Sequence, residues 1–574
     1  MIEYENGLLY PLTAEEAAEA TGTQECAEGV EIYRLPAAGT YKWVEDLVGF
    51  FSTWAPLNWR DHTLRQWWNP NYCESSYTYG APIMMVHDAE DRNRVTVSLS
   101  DSVLRSRITV SVDDLNQRDE LIFTVTVKET VAGENASGVL LRIDRRPIDW
   151  NDAVQQAGEW IRSFARFERK PVPDNAALPL YSSWYNFHQE PEQKLLTKEL
   201  EAAARLGFKT FILDDGWQFE GNNTGDYEKC GDWHVAADKF YDFKAFCDKV
   251  HSLGIKILMW FPVPFIGYLT EDYKRLKDKM AYNNDACGAG VLDIRYPEMR
   301  EFIKDVYKRY VRDFGIDGLK LDFIDAFNAT PAEIAPFAEG MDTESLETAA
   351  RMLLDEIYNE LTEIDPEFMF EFRQNYIGVE MVNHCNMLRV CDCAADSVTN
   401  RVGIAALRSV NATTPTHSDM LLWGHNETPL NCRRQLLNIM FSVPQISVRL
   451  TEMPEDHIRV ISCFVDYWTA NRDVLLNGGF KARRPDLNYT LMSSGKNGKR
   501  ITVLYGTALF EPCGCTEDVF NNTESDFIVS AGGAPFEYEV FDIYGEKTAR
   551  GKSDGSAQKL PVARGGMIRI VPAG

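Results

Sequence analysis

The chain has 574 residues, of which 45% are hydrophobic and 25% are charged, an ordinary globular composition and a length that predicts more than one domain. Its formal net charge of −27 argues against binding to nucleic acid and to anionic membrane surfaces. Aromatic residues make up 12% of the chain, and although many of them belong to the core, aromatic faces also line many sugar sites.

The N-terminal residues and the cysteines bear on the cellular compartment. The first seven residues lack a basic region followed by an apolar run, so we expect no signal peptide. No run of about 18 apolar residues occurs, so we expect no transmembrane helix. Twelve scattered cysteines are typical of a reduced cytoplasmic protein. The close pairs Cys391/Cys393 and Cys513/Cys515 lack partners at zinc-ligand spacing, so we expect buried or neutral thiols, no metal and no cofactor.

Residues 1–150 are predicted to form an N-terminal antiparallel β-sandwich, because segments 94–100, 107–112 and 121–127 alternate apolar and polar residues. Within this region the Trp54–Trp68 segment holds four Trp, two Arg and one His. We slightly favour an inter-domain contact for it. The alternative is a loop that reaches over the pocket of the neighbouring domain, and both roles can hold together.

From about residue 178 the pattern changes to alternating strands and helices. Residues 151–177 are predicted to form a linking helix, residues 178–475 a parallel (β/α)8 TIM barrel, and residues 476–574 a small C-terminal β-sandwich. The predicted barrel strands are 180–185, 210–214, 256–260, 291–294, 318–323, 368–372, 386–390 and, less clearly, 420–423. The predicted helices between them include 193–206, 240–253, 297–314 and 343–364. An open doubly wound sheet is the alternative, although no Gly-x-Gly-x-x-Gly follows a strand.

Carboxylates are concentrated at the predicted strand ends, where a barrel places its catalytic groups. One strand ends at Asp214 and Asp215, another at Asp322, and a third at Arg389 and Asp392. Lys320 precedes Asp322 by two residues, which places both on one face of the strand, and its charge favours an ionised Asp322. Alone, this stretch has roughly even odds of being catalytic, since acidic residues also cap helices.

Tryptophans accompany these carboxylates, because Trp184 and Trp260 lie at or near two further strand ends. Carboxylates that accept hydrogen bonds from hydroxyls, beside Trp faces that stack on a ring, suit a sugar. A His-based metal hydrolase is disfavoured with only nine His in the chain. A Mg²⁺ enzyme in which Asp214, Asp322 and Asp392 bind the ion is an alternative, although Lys320 beside Asp322 would compete with the cation.

Several of these residues occur in strings that resemble the motifs of a known enzyme family. The string Phe211-Ile-Leu-Asp-Asp-Gly-Trp217, the Lys320-x-Asp322 pair, the segment 292–298, and Cys391-Asp392 followed by Asp396 and Arg401 resemble motifs of glycoside hydrolase family 36, the α-galactosidase family of clan D. The resemblance covers about residues 180–400 well and the flanks in outline. It implies a retaining exo-α-glycosidase that forms a covalent glycosyl–Asp intermediate.

The resemblance also implies the roles of individual residues. Asp322 would be the nucleophile and Asp392 the general acid/base. The substrate-binding residues that the resemblance implies are Asp214, Asp215, Lys320 and Trp260, and the strand-end positions of Trp184, Arg373 and Arg389 add these three as candidates. The expected partner is an oligosaccharide or glycoside, with a homo-oligomer left open. We expect Arg389 to point to the sugar or to Asp396, and Asp396 to bond Arg401 or Arg389.

The chain departs from the family pattern in the segment Glu371–Gly378, where the family carries a Cys and a Gly-rich run near the 2-position of the sugar. Residues 260–264 and Leu321 also differ. Galactose is therefore the default glycone, and α-N-acetylgalactosaminides, α-glucosides, modified sugars and transglycosylation are alternatives. A non-catalytic carbohydrate-binding protein is a weaker hypothesis, because the acidic set is complete. Arg373 is our main candidate for unusual specificity, and a buried Glu371–Arg373 ion pair is the structural alternative.

Overall fold

The computed structural model describes residues 1–22, 27–58, 61–116, 118–128, 138–221, 226–393 and 395–573. Two antiparallel sheets form the N-terminal region, as the alternating pattern predicted. In sheet order, the first contains Gly7–Leu9, Ile2–Tyr4, Gly39–Asp46, Glu120–Val127, Ser106–Val112 and Asn71–Ser75. The second contains Val30–Arg34, Leu140–Asp144, Asn93–Leu99, Ile83–His87 and Ser52–Trp54. Trp43 stacks on Phe123 in the core between them.

The helix Trp150–Arg162 joins the three parts of the molecule. Trp150 Nε1 donates to the carbonyl of Ala482 in the C-terminal region at 2.8 Å. Gly158 lies against the barrel helix Ser397–Val410, where a Cβ atom would stand 2.4 Å from the Val410 carbonyl oxygen. The helix therefore packs more closely than any side chain at position 158 would permit.

Eight parallel strands form the barrel, which confirms the predicted (β/α)8 class. In chain order, barrel strands 1 to 8 are Leu180–Ser182, Thr210–Leu213, Lys256–Pro262, Gly318–Asp322, Met369–Arg373, Met387–Arg389, Thr416–His417 and Gln445–Ile446. The main helices after them are Gln193–Arg205, Phe243–Ser252, Pro297–Phe314, Leu346–Ile364, Val379–Val382, Ser397–Val410, Pro429–Asn438 and Glu455–Ala470. A parallel bridge between His417 and Val443 closes the ring.

Two predicted barrel strands are wrong. The segment at 291–294 belongs to Ala289–Leu292, which pairs antiparallel with Phe265–Gly267 and Met280–Asn284 in a separate small sheet. Barrel strand 3 therefore pairs directly with strand 4. The segment at 420–423 contributes only a bridge at Leu421, since strands 7 and 8 are two-residue strands on either side of it. An apolar run is compatible with any buried element, and that ambiguity caused both errors.

The barrel interior is layered. Leu180, Ile212, Leu258, Met369 and Met387 form one apolar cluster between the strands. The next inward residue on a strand lies two positions further on. At that level, strands 2, 3, 5 and 6 carry Asp214, Trp260, Glu371 and Arg389. Helix Pro297–Phe314 ends at Gly315, whose φ of 71° is left-handed, and the chain then enters strand 4 as the sequence predicted.

The C-terminal region contains two β-sheets. Its seven-stranded sheet runs, in sheet order, through Gly479–Arg483, Leu491–Lys496, Lys499–Leu504, Thr516–Asn521, Met567–Pro572, Phe536–Phe541 and Lys547–Ser553. A smaller sheet contains Leu509–Phe510, Ile528–Ser530 and Gln558–Leu560. The domain boundaries given above stay predictions.

The shorter helical elements complete the description. They are Ala14–Thr21, Trp184–Phe187, Glu271–Leu276 and Arg472–Asn477, with 3-10 turns at Asp174–Ala177, Lys277–Lys279, Ile324–Phe327, Leu450–Glu452 and Pro485–Leu487. Trp184 therefore begins a helix beyond barrel strand 1, whereas the sequence pattern extended that strand to residue 185. Among the described helices, none combines the length and the apolar character needed to cross a membrane.

Candidate active site

A cavity of about 180 Å³ opens where the barrel strands end. Its lining consists of Trp184, Asp214, Asp215, Tyr227, Trp260, Lys320, Asp322, Phe323, Arg373, Cys391 and Asp392. Eight of the nine predicted site residues are among them. Arg389 is the exception, because it is fully buried beside the cavity rather than lining it.

Both oxygens of Asp322 are held by donors. Arg373 Nε donates to Oδ1 at 2.5 Å and the Phe323 backbone N–H at 2.8 Å, while Trp260 Nε1 donates to Oδ2 at 2.9 Å. Burial raises the pKa of Asp322, but the charges of Arg373 and Lys320 and the bond from Trp260 outweigh it and hold that pKa well below its usual range. Asp322 is therefore a fixed carboxylate anion at neutral pH.

Lys320 does not bond Asp322 directly, contrary to the simplest interpretation of their spacing. Its Nζ donates to Asp214 Oδ2 at 2.6 Å across the barrel, and both side chains are buried. Lys320 acts on Asp322 through its charge, and Arg373 is the stronger cation there. The lysine thus joins strands 2 and 4 beneath the cavity.

Asp215 lies in a tight turn after barrel strand 2. Gln189 and Gln218 donate to its two oxygens at 2.6 and 2.7 Å. Burial, with Asp214 adding to it, raises the pKa of Asp215 to about 6 against these bonds. Gly216 follows with a φ of 104°, and a Cβ atom there would stand 2.4 Å from the Gln189 backbone, so only glycine fits.

Asp392 faces the cavity from strand 6 and is more accessible, with 54% of its side chain exposed. Arg389 Nη1 donates to Asp392 Oδ1 at 2.7 Å and to Asp419 Oδ1 at 2.6 Å. Burial raises the pKa of Asp392 and nearby Asp322 adds to that, but the charges of Arg389 and Lys320 lower it overall. Arg389 therefore points to Asp392 itself, and not to Asp396.

Aromatic rings form the walls. Tyr227 stacks on Trp260 with ring centroids 6.0 Å apart, and Phe323 meets Tyr227 edge-on at 4.9 Å. The guanidinium of Arg373 lies 5.3 Å from the ring centroids of both Phe323 and Tyr376. Flat apolar faces and fixed charges thus meet in one cavity.

Sequence reasoning missed a buried polar group behind Asp392. Asp419 is fully buried, and Tyr185 Oη and the Cys393 backbone N–H donate to its Oδ2 at 2.8 and 2.7 Å. Glu371 is also buried, accepts from Gln445 Nε2 at 2.6 Å, and has a pKa that burial raises to about 7. Correct placement of strands 7 and 8 would have identified Asp419 and Gln445, which lie at or just after them.

Two predicted pairings are wrong. Glu371 faces Arg389 at 3.5 Å and Gln445, whereas Arg373 pairs with Asp322 and Asp325, so no Glu371–Arg373 pair forms. Asp396 caps helix Ser397–Val410 by accepting from the Thr399 N–H, and Arg401 bonds Asn438 and the Asn488 carbonyl.

The Trp54–Trp68 segment makes an inter-domain contact and also lies near the site. Trp54 is buried, packs on Trp150, and donates from Nε1 to Tyr489 Oη at 3.1 Å. Leu57, Asn58 and Asp61 line a second cavity of about 330 Å³ that shares Cys391 and Asp392 with the first. Trp59 and Arg60 of this segment lie outside the described residues.

The cysteines differ from expectation in one place. A disulfide joins Cys513 and Cys515 in the C-terminal region, so these two are not the thiols we predicted. Cys391 and Cys393 are free, and burial raises the pKa of both thiols. Within the described ranges, no group of three or more His, Cys, Asp or Glu is arranged to hold a metal ion.

Comparison with known proteins supplies independent information. Residues 155–397 match the family model described as Melibiase. The α-galactosidase Mel36A of Lactobacillus acidophilus is 28% identical over 165 residues, and an α-galactosidase of Escherichia coli is 26% identical over 181. These alignments cover 28% and 30% of this chain, but only 22% and 25% of the relatives.

Solved structures match more of the chain. The family 36 α-galactosidase AgaA of Geobacillus stearothermophilus aligns with a TM-score of 0.63 at 14% identity, covering 95% of this chain and 80% of that one. An α-galactosidase of Lactobacillus brevis gives 0.62 at 16% identity, with 95% and 78% covered. At such identities the likeness establishes the fold. Together with the Melibiase match over residues 155–397, these findings show that the chain is similar to α-galactosidases, and its fold is similar to that of family 36 α-galactosidases.

Proposed function

We propose that the protein is a retaining exo-α-glycosidase that hydrolyses terminal α-galactosides. One observation carries the proposal. The buried Asp322 carboxylate, which accepts hydrogen bonds at both oxygens, and the accessible Asp392 line a single cavity of about 180 Å³. Retaining glycosidases need one carboxylate to attack and a second carboxyl group that gives and takes a proton.

The chemistry proceeds in two steps. Asp322 attacks the anomeric carbon, and the bond to the leaving oxygen breaks as Asp392 transfers its proton to that oxygen. The sugar is then esterified to Asp322. In the second step Asp392, now a carboxylate, takes a proton from water, whose oxygen bonds the anomeric carbon while the ester bond breaks and Asp322 leaves as a carboxylate.

The two carboxyl groups differ in the way these roles require. Arg373, Lys320 and Trp260 stabilise the anionic form of Asp322, which a nucleophile needs. Asp392 is more exposed, and a sugar that covers it removes water from it, which favours its protonated form. We assign Arg389 to holding Asp392 rather than to direct contact with the sugar, because its side chain is fully buried.

The remaining cavity residues are assigned to binding the sugar. Asp214 and Asp215 would accept hydrogen bonds from hydroxyls, and Lys320 would donate one. Trp184, Trp260 and Tyr227 supply flat faces for the ring. A sugar bound there would lie between Asp322 below and Asp392 at the side.

Galactose is proposed as the glycone from the names of relatives. Two similar proteins are called α-galactosidases, and one solved AgaA structure is described as a complex with raffinose. A second candidate is the same reaction on another α-linked sugar. The observation favouring it is Arg373, whose guanidinium occupies the cavity wall directly beside the nucleophile.

The test is hydrolysis of an aryl α-galactoside beside the matching α-glucoside, α-N-acetylgalactosaminide and β-galactoside. We expect turnover of the α-galactoside, with the α-anomer of galactose released first and observed by proton NMR. Turnover of a different α-sugar alone would replace galactose, and release of the β-anomer would disprove the retaining mechanism. Binding of raffinose without turnover of any substrate would favour a non-catalytic carbohydrate-binding protein.

We also propose a cytoplasmic location and leave assembly as a question for experiment. Free cysteines over most of the described chain support the location. Detection of the mature protein in a secreted or periplasmic fraction would contradict it. Light scattering on the purified protein decides between a monomer and a homo-oligomer.

A further inference from the structure

A second buried carboxylate, Asp419, shares the cation that holds Asp392. Arg389 Nη1 donates to Asp392 Oδ1 at 2.7 Å and to Asp419 Oδ1 at 2.6 Å, so one nitrogen serves two anions. Asp419 lies just after barrel strand 7 and is fully buried. Its backbone N–H donates to Asn400 Oδ1 at 3.1 Å, and its backbone carbonyl accepts from Asn400 Nδ2 at 2.8 Å.

The other oxygen of Asp419 fixes the loop that carries Asp392. Its Oδ2 accepts from the backbone N–H of Cys393, the residue after Asp392, at 2.7 Å. It also accepts from Tyr185 Oη at 2.8 Å, and Tyr185 follows Trp184 in the cavity wall. One carboxylate therefore connects the end of strand 7 to the Asp392 loop and to the segment after strand 1.

We propose that Asp419 is a positioning residue that divides the charge of Arg389 between two carboxylates and thereby leaves Asp392 able to take up and release the proton of the reaction. This inference rests on the proposed function, because it concerns how Asp392 acts as acid and base. Without Asp419, Nη1 of Arg389 would bond Asp392 alone and would stabilise its ionised form too strongly.

Other titratable and charged groups also face Arg389 and Asp392 and influence their protonation. They are Glu371 on strand 5, Lys320 and Asp322 on strand 4, Tyr185 after strand 1, Cys391 and Cys393 on the Asp392 loop, and Asp61 from the N-terminal region. Asp419 differs from them because it bonds both the arginine and the backbone next to Asp392.

The test is Asp419→Asn, which keeps the side-chain shape but leaves one acceptor oxygen for the three donors Arg389, Cys393 N–H and Tyr185 Oη. We expect kcat/KM on an oligosaccharide to fall at least tenfold, because its alkoxide leaving group needs the acid. A dinitrophenyl α-galactoside, whose leaving group needs little protonation, should lose less than about threefold. The basic limb of the pH profile should move to lower pH by about one unit, as Asp392 loses its proton more easily.

The matched control is Asp396→Asn, the same change on the same loop at a residue that caps a helix, where Asn serves as well. It should alter neither the leaving-group dependence nor the basic limb. Equal losses of Asp419→Asn on both substrates with an unmoved limb would reduce Asp419 to a structural residue. If Asp419→Asn does not fold, Tyr185→Phe removes one donor to Asp419 and should shift the limb in the same direction by less.

A measurement without substrate separates this inference from the proposed function. With side-chain carboxyl ¹³C-labelled aspartate, the Asp392 signal is assigned by its loss in Asp392→Asn and then titrated. We expect its midpoint to fall in Asp419→Asn. An unchanged midpoint would overturn the inference even if the wild type hydrolyses α-galactosides, and a lower one would support it even if that substrate is wrong.

Discussion

The two sides of the cavity are built differently. On the side of strands 2 to 4, Asp322 and Asp214 are buried and each is bonded by a buried cation, Arg373 or Lys320. On the side of strands 6 and 7, Asp392 is 54% exposed and shares Arg389 with Asp419. The first arrangement fixes a negative charge in place, whereas the second leaves a carboxyl group open to water and to protonation. The difference corresponds to the two duties of a retaining mechanism.

The largest expected effect on the reaction rate is at Asp322, on the side of strands 2 to 4. Asp322→Ala should lower kcat by roughly 10⁴-fold or more, because in the proposed mechanism Asp322 forms the covalent intermediate. Azide should restore turnover of an activated aryl glycoside and give the inverted glycosyl azide. The surface variant Asp248→Ala, at a residue with 60% of its side chain exposed, should leave kcat unchanged. Full activity of Asp322→Ala would remove the distinction between the two sides.

On the side of strands 6 and 7, replacing Asp392 should cause a loss of activity whose size depends on the leaving group. Asp392→Asn should lower kcat/KM by about 10²- to 10⁴-fold on an oligosaccharide, the range expected for loss of an acid catalyst. A dinitrophenyl glycoside needs no proton in the first step, so its initial burst should persist while deglycosylation slows. Stopped-flow release of dinitrophenol measures both phases. An equal loss in both phases and on both substrates would contradict the acid role.

Asp215 tests whether the buried carboxylates bind the sugar. Because burial raises the pKa of Asp215 to about 6, a growing fraction of Asp215 is protonated as the pH falls toward and below about 6, and kcat/KM should fall with it. Asp215→Asn should remove this limb and lower kcat/KM by about 10- to 100-fold, the cost of losing charged hydrogen bonds to hydroxyls. The pH dependence of kcat/KM at low substrate concentration is the measurement, and an unchanged limb in the variant would assign it to another group.

Arg373 should produce the smallest change in rate and the clearest change in the pKa of Asp322. Arg373 lowers the pKa of Asp322, so Arg373→Gln should raise that pKa by about one unit, which is measured by titrating the ¹³C-labelled Asp322 carboxyl group because Asp215 sets the acid limb of kcat/KM. The exposed Arg275→Gln serves as the charge-matched control. The aryl glycoside panel, repeated on Arg373→Gln, shows whether this residue also selects the sugar. An unchanged Asp322 titration with unchanged selectivity would leave Arg373 without a role in the site.

Local sequence patterns predicted the side of strands 2 to 4 well. The alternation in Gly318–Asp322 and the end of the helix before Gly315 are short-range properties, and the structure contains both. Strands 7 and 8 have two residues each, too few to show any period, and an apolar run at 420–423 was predicted in their place. The buried partner Asp419 lies next to one of these strands and was missed for that reason.

By itself, the sequence determined the barrel class, the order of the strand-end carboxylates and the identity of Asp322 and Asp392 as candidates, because each depends on residues close together in the chain. Only the tertiary structure decided which charges meet. Lys320 bonds Asp214, which lies 106 residues away, and Arg389 divides its charge between Asp392 and Asp419. Closing the ring brings strands from distant parts of the chain together, and the strength of a charge pair depends on the distance and burial that this closure sets.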